Sequence, residues 1–365
     1  MSRKLLFVID QLEIGGAGRV ASILMNELAA RGYDVRVVTA IRFHKVNYKL
    51  ADSITVKEWY DPEPVKHGFW GRVANMYNRY SYYRRALKEV EPDVIIAFTH
   101  NIFLYTKLWS WGYKGPIIAS DHTSMGRNLG KVSNYIRHNF YKKADIVTIL
   151  TEKDARILGD RLPNKEVVYN PVTFNAFNGE AKREKTVLCV GRKSFWSVKG
   201  FDRIIKIWGD LYSKYPDWKL KIVGESNADC DAKLQSMIAE VGVEQGVIMH
   251  GNTNEIEQFY RSAEIFALPS RVEGFPLVLV EAMSQGCACV SFSMQGAVSE
   301  IINDGKDGVI VEDGNLEEFA MQLEQLMNDA ELRQRYADNA KQNVERFSIA
   351  AFADKWEKII ARVLK

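Results

Sequence analysis

Two carboxylates frame the segment best equipped for chemistry, Glu273-Gly-Phe-Pro-Leu-Val-Leu-Val-Glu281. The Gly-Pro pair inside it reads as the opening of a helix, with Pro276 at the first helical position, where a missing N–H costs nothing. The amides of Gly274, Phe275 and Leu277 then lack partners within the helix, and a helix start with free donors holds phosphate. Ionised Glu273 and Glu281 only accept hydrogen bonds, so they suit hydroxyls rather than phosphate. Anion donors flanked by two hydroxyl acceptors describe a site for a sugar nucleotide.

A second group lies upstream. Gly191-Arg192-Lys193 and then Lys199-Gly200 follow an apolar run of strand length. A departing nucleoside diphosphate carries about two negative charges, and fixed cations aimed at the oxygen where charge grows favour the transition state over the ground state. Arg192 offers a fork to phosphate oxygens and Lys199 a point charge. Gly15-Gly16-Ala17-Gly18 forms a loop after the first strand, where glycine permits close backbone approach to a ligand. It lacks the G-x-G-x-x-G of dinucleotide sites, and no Gly-Lys-Ser/Thr makes it a Walker loop. Ser120-Asp121-His122-Thr123 and His100 end strands, at the edge where α/β sites lie. Val223-Gly224-Glu225 and His250-Gly251-Asn252-Thr253 end two more. Asp229-Cys230-Asp231 spells D-x-D, but it leads into a helix, where Asp is an ordinary cap. No metal is expected.

The Glu273/Glu281 spacing closely resembles the E-x7-E signature of retaining glycosyltransferases, especially family 4. Gly191-Arg192…Lys199-Gly200 resembles the G-R-x(n)-K-G signature of the same family, and Gly15-Gly16-Ala17 its Gly-Gly-Ala loop. The resemblance is strongest from Lys185 to Leu332. It implies a GT-B fold, in which two Rossmann-like doubly wound α/β domains face a central cleft and close on it, a UDP-sugar donor, and no metal or other cofactor. By the resemblance, Arg192, Lys199, Glu273 and His122 are the catalytic group, with Glu273 and His122 beside the donor sugar; His100, from its place at a strand end, is expected in the cleft near the acceptor. Glu281 holds the ribose, and Gly15, Gly16, Gly274, Phe275, Pro276 and Leu277 face the diphosphate. Gly251, Asn252 and Thr253 meet the base. The implied reaction moves a hexose or N-acetylhexosamine, with retention, to a saccharide or lipid-linked saccharide in capsule, O-antigen or exopolysaccharide assembly. A UDP-sugar 2-epimerase of the same fold and a non-catalytic sugar-nucleotide binder are the alternatives.

The elements that must position these residues are legible as apolar runs. Strands are expected at residues 4–9, 34–39, 93–98, 116–120, 145–150 and 166–169, and again at 186–190, 218–223, 247–250, 265–268, 288–292 and 308–311. Helices between them make a doubly wound parallel sheet twice over. The polar stretch from Asn170-Pro171 to Lys185 reads as the linker, giving domains 1–172 and 173–347. The resemblance implies that a last helix, 348–365, crosses back to the first domain.

The 365 residues suit two domains. Three of four cysteines lie in apolar runs, so neither a disulfide framework nor a zinc site is expected. The start, Met-Ser-Arg-Lys-Leu-Leu-Phe-Val-Ile, runs into a strand without a leader pattern, and no apolar run is long enough to span a bilayer. A cytoplasmic location is the expectation. Charge is uneven: residues 1–175 hold 26 Lys+Arg against 17 Asp+Glu, the remainder 23 against 29. Phe69, Trp70, Tyr77, Tyr80, Tyr82 and Tyr83 alternate with Lys66, Arg72, Arg79, Arg84, Arg85 and Lys88, and a second basic set runs from Arg127 through Lys131, Arg137 and His138 to Lys143. Aromatics among cations suit an anionic membrane surface, which makes peripheral association an expectation. No nucleic-acid motif is present.

Overall fold

The computed structural model describes residues 2–10, 12, 15–39, 48–58, 68–177, 179, 181–294 and 297–365. The chain divides into two compact units, Met1–Pro171 with Ile349–Lys365, and Val172–Ser348.

Unit 1 runs β1 (Lys4–Ile9), α1 (Gly16–Ala30), β2 (Asp34–Thr39), β3 (Thr55–Glu58), α2 (Gly68–Val90), β4 (Val94–Phe98), α3 (His100–Trp109), β5 (Ile117–Ser120), α4 (Lys131–His138), β6 (Ile146–Ile149), α5 (Glu152–Leu158) and β7 (Lys165–Val167). All pairs are parallel, in the order β3-β2-β1-β4-β5-β6-β7. β4, β5 and β6 are buried along their whole length, as a sheet covered on both faces requires. The edge strand β3 escapes apolar-run counting, because Thr-Val-Lys-Glu holds a single aliphatic residue.

Unit 2 repeats the scheme with β8 (Glu184–Val190), α6 (Phe201–Tyr212), β9 (Lys219–Val223), α7 (Ala228–Glu240), β10 (Val247–His250), α8 (Ile256–Ser262), β11 (Ala263–Leu268), α9 (Leu277–Ser284), β12 (Ala288–Phe292), α10 (Val298–Ile301), β13 (Val309–Val311), α11 (Leu316–Asn328) and α12 (Ala330–Val344). Its parallel order is β10-β9-β8-β11-β12-β13. In both sheets the order reverses beside the first strand, which opens a crevice at the strands' carboxyl ends.

The last helix, α13 (Ile349–Val363), belongs to unit 1. Phe352, Ala353, Trp356, Ile359 and Ile360 are buried along one stripe, the spacing of an amphipathic helix. Each large side chain contributes roughly 1.5–3 kcal/mol by leaving water. Ion pairs fix the register: Arg31, the C-cap of α1, reaches Asp354 and Glu357, each at 2.6 Å, while Lys355 and Arg362 meet Glu166 of β7 at 3.0 and 2.5 Å.

Candidate functional site

In unit 2 the order reverses between β8 and β11, and the loops leaving those strands carry Arg192 and Lys199 on one side and Glu273 on the other. The Lys199 ammonium sits 2.7 Å from a Glu273 oxygen, which also accepts from Ser270 Oγ at 2.9 Å. Both side chains keep some access to solvent. The loops are interlocked. The Arg271 amide donates to the Val198 carbonyl at 2.8 Å, and the Arg271 guanidinium grips both oxygens of Asp202, at 2.8 and 2.7 Å. Asp202 holds the Arg271 cation above its ordinary pKa.

Backbone contact makes glycine obligatory here twice. Gly200 has φ +70°, and a Cβ on it would lie 1.9 Å from the Pro269 carbonyl oxygen. Gly224, after β9, has φ +155°, and a Cβ there would lie 1.9 Å from the carbonyl oxygen of Gly191. No side chain fits at such separations, so the Gly191–Gly200 loop is seated by backbone on backbone. Arg192 is exposed, its guanidinium 5.7 Å from the Phe195 ring centroid. Lys193, beside it, is buried and pairs with Asp231 at 2.8 Å. That pair holds the Asp231 carboxyl below its usual range. The D-x-D run opens α7, with Asn227 as cap, so one of its carboxylates is already committed to a lysine. Among the described residues no three His, Cys, Asp or Glu side chains converge as metal ligands.

The helix after Glu273 begins one residue later than expected. Pro276 is the N-cap, not the first helical residue, and α9 starts at Leu277. The Leu279 amide donates to the Pro276 carbonyl at 3.0 Å, so the amides left over at this tip shift along, to Leu277 and Val278. The Gly274-Phe275 step is anchored by Phe275, buried edge-on against Phe347 with centroids 5.4 Å apart. Glu281 is 2 % exposed. Thr173 Oγ1 donates to one of its oxygens at 2.5 Å and Tyr260 Oη to the other at 2.8 Å. It is a hydroxyl-binding carboxylate, as its type suggests, and two of the hydroxyls are the protein's own. Gly251, Asn252 and Thr253 follow β10 at the surface, and Thr253 Oγ1 accepts the Glu255 amide at 3.0 Å.

In unit 1, Gly15 caps α1 with φ 151°. Its amide donates to Tyr48 Oη, which in turn donates to the Gly15 carbonyl, both at 3.2 Å. Gly16 opens the helix. His122 is half-buried after β5, stacked on Phe98 at 4.9 Å and 6°, with Nε2 3.0 Å from Ser120 Oγ. Burial pushes its pKa down to about 4, against weaker opposing pulls from Asp121 and Asn170. The ring is therefore neutral near pH 7, a donor at one nitrogen only. Because the folded state resists the proton, His122 subtracts stability as pH falls from about 6.5 towards 4 and has no effect above. Proton NMR of the His122 ring is expected to titrate with a midpoint near 4, and a midpoint of about 6 or higher contradicts a ring held neutral by its surroundings. Burial also lowers the pKa of His100, at the start of α3.

The loop carrying His122 is fixed by an ion pair whose cation sequence reading grouped with a basic surface set. Arg137, grouped above with exposed cations, is fully buried. Its Nε meets Asp121 at 2.7 Å, Tyr141 Oη donates to the same oxygen at 2.9 Å, and Arg137 also binds the Thr123 carbonyl. Burial and the Asp121 charge hold the Tyr141 phenol far above its ordinary pKa. Tyr83 is likewise buried, but Phe69 and Trp70 on α2 are 72 % and 79 % exposed. Met76 and Tyr77 are exposed on the same helix. Trp111, also exposed, is covered on one face by Arg84 at 4.6 Å and donates to Tyr80 Oη at 3.0 Å. Lys66 lies outside the described residues. No helix among the described residues is long and apolar enough to cross a membrane.

Residues that sequence reasoning missed are those that hold others: Thr173, Tyr260, Ser270 and Lys193. Only Lys193, next to Arg192, carried a signal of type and position.

Residues 14–175 match the family described as Glycosyltransferase Family 4, and residues 173–343 that described as Glycosyl transferases group 1. A Haemophilus influenzae "uncharacterized glycosyltransferase" is 29% identical, covering 97% of this chain and 98% of its own. A Campylobacter jejuni α-1,4-N-acetyl-D-galactosaminyltransferase, named for a diphospho-undecaprenol-linked saccharide, is 26% identical over 99% of both. The amylovoran biosynthesis glycosyltransferase AmsD of Erwinia amylovora is 28% identical, over 98% of this chain and 99% of its own. Among solved structures, Anabaena HepE in complex with UDP-glucose superposes with a TM-score of 0.80 at 18% identity, covering 98% of this chain and 99% of its own. The lipopolysaccharide outer core galactosyltransferase WaaB gives 0.75 at 22%, with the same coverage. The chain thus belongs to the glycosyltransferases, with a family 4 segment followed by a group 1 segment on the GT-B fold.

Proposed function

We propose that this glycosyltransferase moves a hexose or N-acetylhexosamine from a UDP-sugar to a hydroxyl of a lipid-linked saccharide, with retention of anomeric configuration and without a metal. The observation that carries the reading is the Lys199–Glu273 pair at 2.7 Å, at the point where the unit 2 sheet reverses, with Arg192 on the same loop as Lys199. Two side-chain cations and the tip of α9 supply there the positive charge that a departing diphosphate needs. The pair keeps the ammonium in place until phosphate oxygens compete for it. Glu273 then meets the sugar, and Glu281 extends its hydroxyl contacts to the ribose. Gly251 to Thr253 border the base. HepE, in its complex with UDP-glucose, and the lipid-linked relatives support the donor and acceptor classes.

The test is UDP release from a panel of UDP-sugars, with and without polyprenyl-diphosphate-linked saccharides, in the presence of EDTA. Acceptor-dependent release, with an α-linked product by NMR, is expected. Acceptor-independent release with an epimerised sugar, or binding without turnover, contradicts the reading, and loss of all activity with the chelator contradicts its metal-free part.

We also place the enzyme on the cytoplasmic face of an anionic membrane, through the exposed aromatics of α2 and the cations around them. Co-sedimentation with phosphatidylglycerol vesicles is expected for the natural chain and strongly reduced for the Phe69→Ser/Trp70→Ser variant. Equal binding by both removes α2 from the contact.

A further inference from the structure

Unit 2 carries a second polar groove at the other end of α9 from the Lys199–Glu273 pair. Its volume is 610 Å³, within the usual range of small-molecule sites. The charged side chains lining it are Arg183, Arg333 and Lys341 against a single carboxylate, Glu264. Arg333 takes that carboxylate at 2.9 Å and also binds the Leu326 and Met327 carbonyls. Arg183 donates to two neutral groups, the Ala263 and Gln285 carbonyls. Among the described residues no carboxylate pairs with Arg183 or with Lys341.

Gly286, with φ +79°, shows how close these two cations come. A Cβ placed on it would lie 2.8 Å from Arg183 Nη2 and 3.2 Å from Lys341 Nζ. The two charged nitrogens are therefore no more than about 6 Å apart, where like charges repel unless an anion or solvent screens them. Any side chain at 286 would occupy the space over which they converge. The carbonyl-bound Arg183 is fixed, and Lys341 enters from α12, so the two reach the same volume from different elements.

We propose that this groove is an anion site, taking a phosphate or phosphomonoester between Arg183 and Lys341, separate from the nucleotide site. Inorganic phosphate is the probe. It is titrated at constant ionic strength, with chloride as the balancing anion, and thermal unfolding is followed in the natural chain and in the Lys199→Met and Lys341→Met variants. A ligand that binds only the folded state raises the midpoint. Phosphate is expected to raise it in the natural chain and still to raise it in Lys199→Met. In Lys341→Met the apparent Kd is expected to rise about tenfold or more, the loss of one charge-assisted contact. Lys341→Gln is the second variant. Stabilisation that disappears in Lys199→Met and persists in both Lys341 variants puts the anion at the nucleotide site and overturns the proposal, as does the absence of any phosphate effect. Either result leaves the glycosyltransferase assay unaffected as the test of the main reading.

Discussion

Lys199→Met is expected to lower turnover about ten- to a hundredfold, the loss of a charge-assisted hydrogen bond worth about 1.5–3 kcal/mol in the transition state. The stem is kept and only the cation goes. Negative charge on the diphosphate peaks as the glycosidic bond breaks, so the loss falls on kcat more than on KM. Glu273 loses its partner at the same time, and with Ser270 alone donating to that oxygen its carboxylate is less well placed. Glu273→Gln is accordingly expected to slow the reaction too, and the double variant to cost less than the two single effects combined, because the residues act as one unit. Steady-state UDP release from the three variants checks this. Natural turnover in Lys199→Met, in a protein with an unchanged circular dichroism spectrum, removes the cation from the mechanism.

Arg137→Met should have the largest effect on stability. Both partners of the Arg137–Asp121 pair are almost wholly out of water. Removing the guanidinium leaves a buried carboxylate with Tyr141 and the Thr123 amide, which accounts for about 3–5 kcal/mol of destabilisation. The chain has two units, so a single unfolding free energy is not well defined. Peptide-resolved hydrogen exchange across β5 and α4 reads the change locally. Arg137→Met combined with Asp121→Leu is expected to recover much of the loss, since two apolar groups in place of a buried pair are often neutral. Exchange at β5 unchanged from the natural chain contradicts the structural role given to the pair. The functional corollary concerns His122, which sits on the loop the pair fixes and is expected to lose its stacked position on Phe98.

The strands were legible because most of them are solid apolar runs, and burial on both faces leaves no other pattern available. β3 was not, since an edge strand with a wet face tolerates Thr, Lys and Glu. Lys199 and Glu273 could be named only through their resemblance to two family signatures, and they meet in the structure because their loops leave adjacent strands at a sheet reversal. Their direct pairing was not legible, since it depends on rotamers and on the Arg271–Asp202 clamp. Arg137 was misplaced for a related reason: a cation in a short polar helix looks the same whether it faces water or a buried Asp sixteen positions earlier. Pro276 was misplaced by one residue, the ordinary uncertainty of a helix end. Thr173 and Tyr260 carry hydroxyls that no spacing rule connects to Glu281.

Unit 2 is one continuous stretch, while unit 1 is closed by a helix that lies beyond it in the chain. On the ribosome the strands of unit 1 emerge first, but the apolar surface awaiting Phe352, Trp356 and Ile360 stays wet while all of unit 2 is made. At ordinary elongation speeds that delay is roughly ten to thirty seconds. The nascent chain is most prone to aggregation and chaperone capture during that interval, and a stop codon placed before residue 349 would make it permanent.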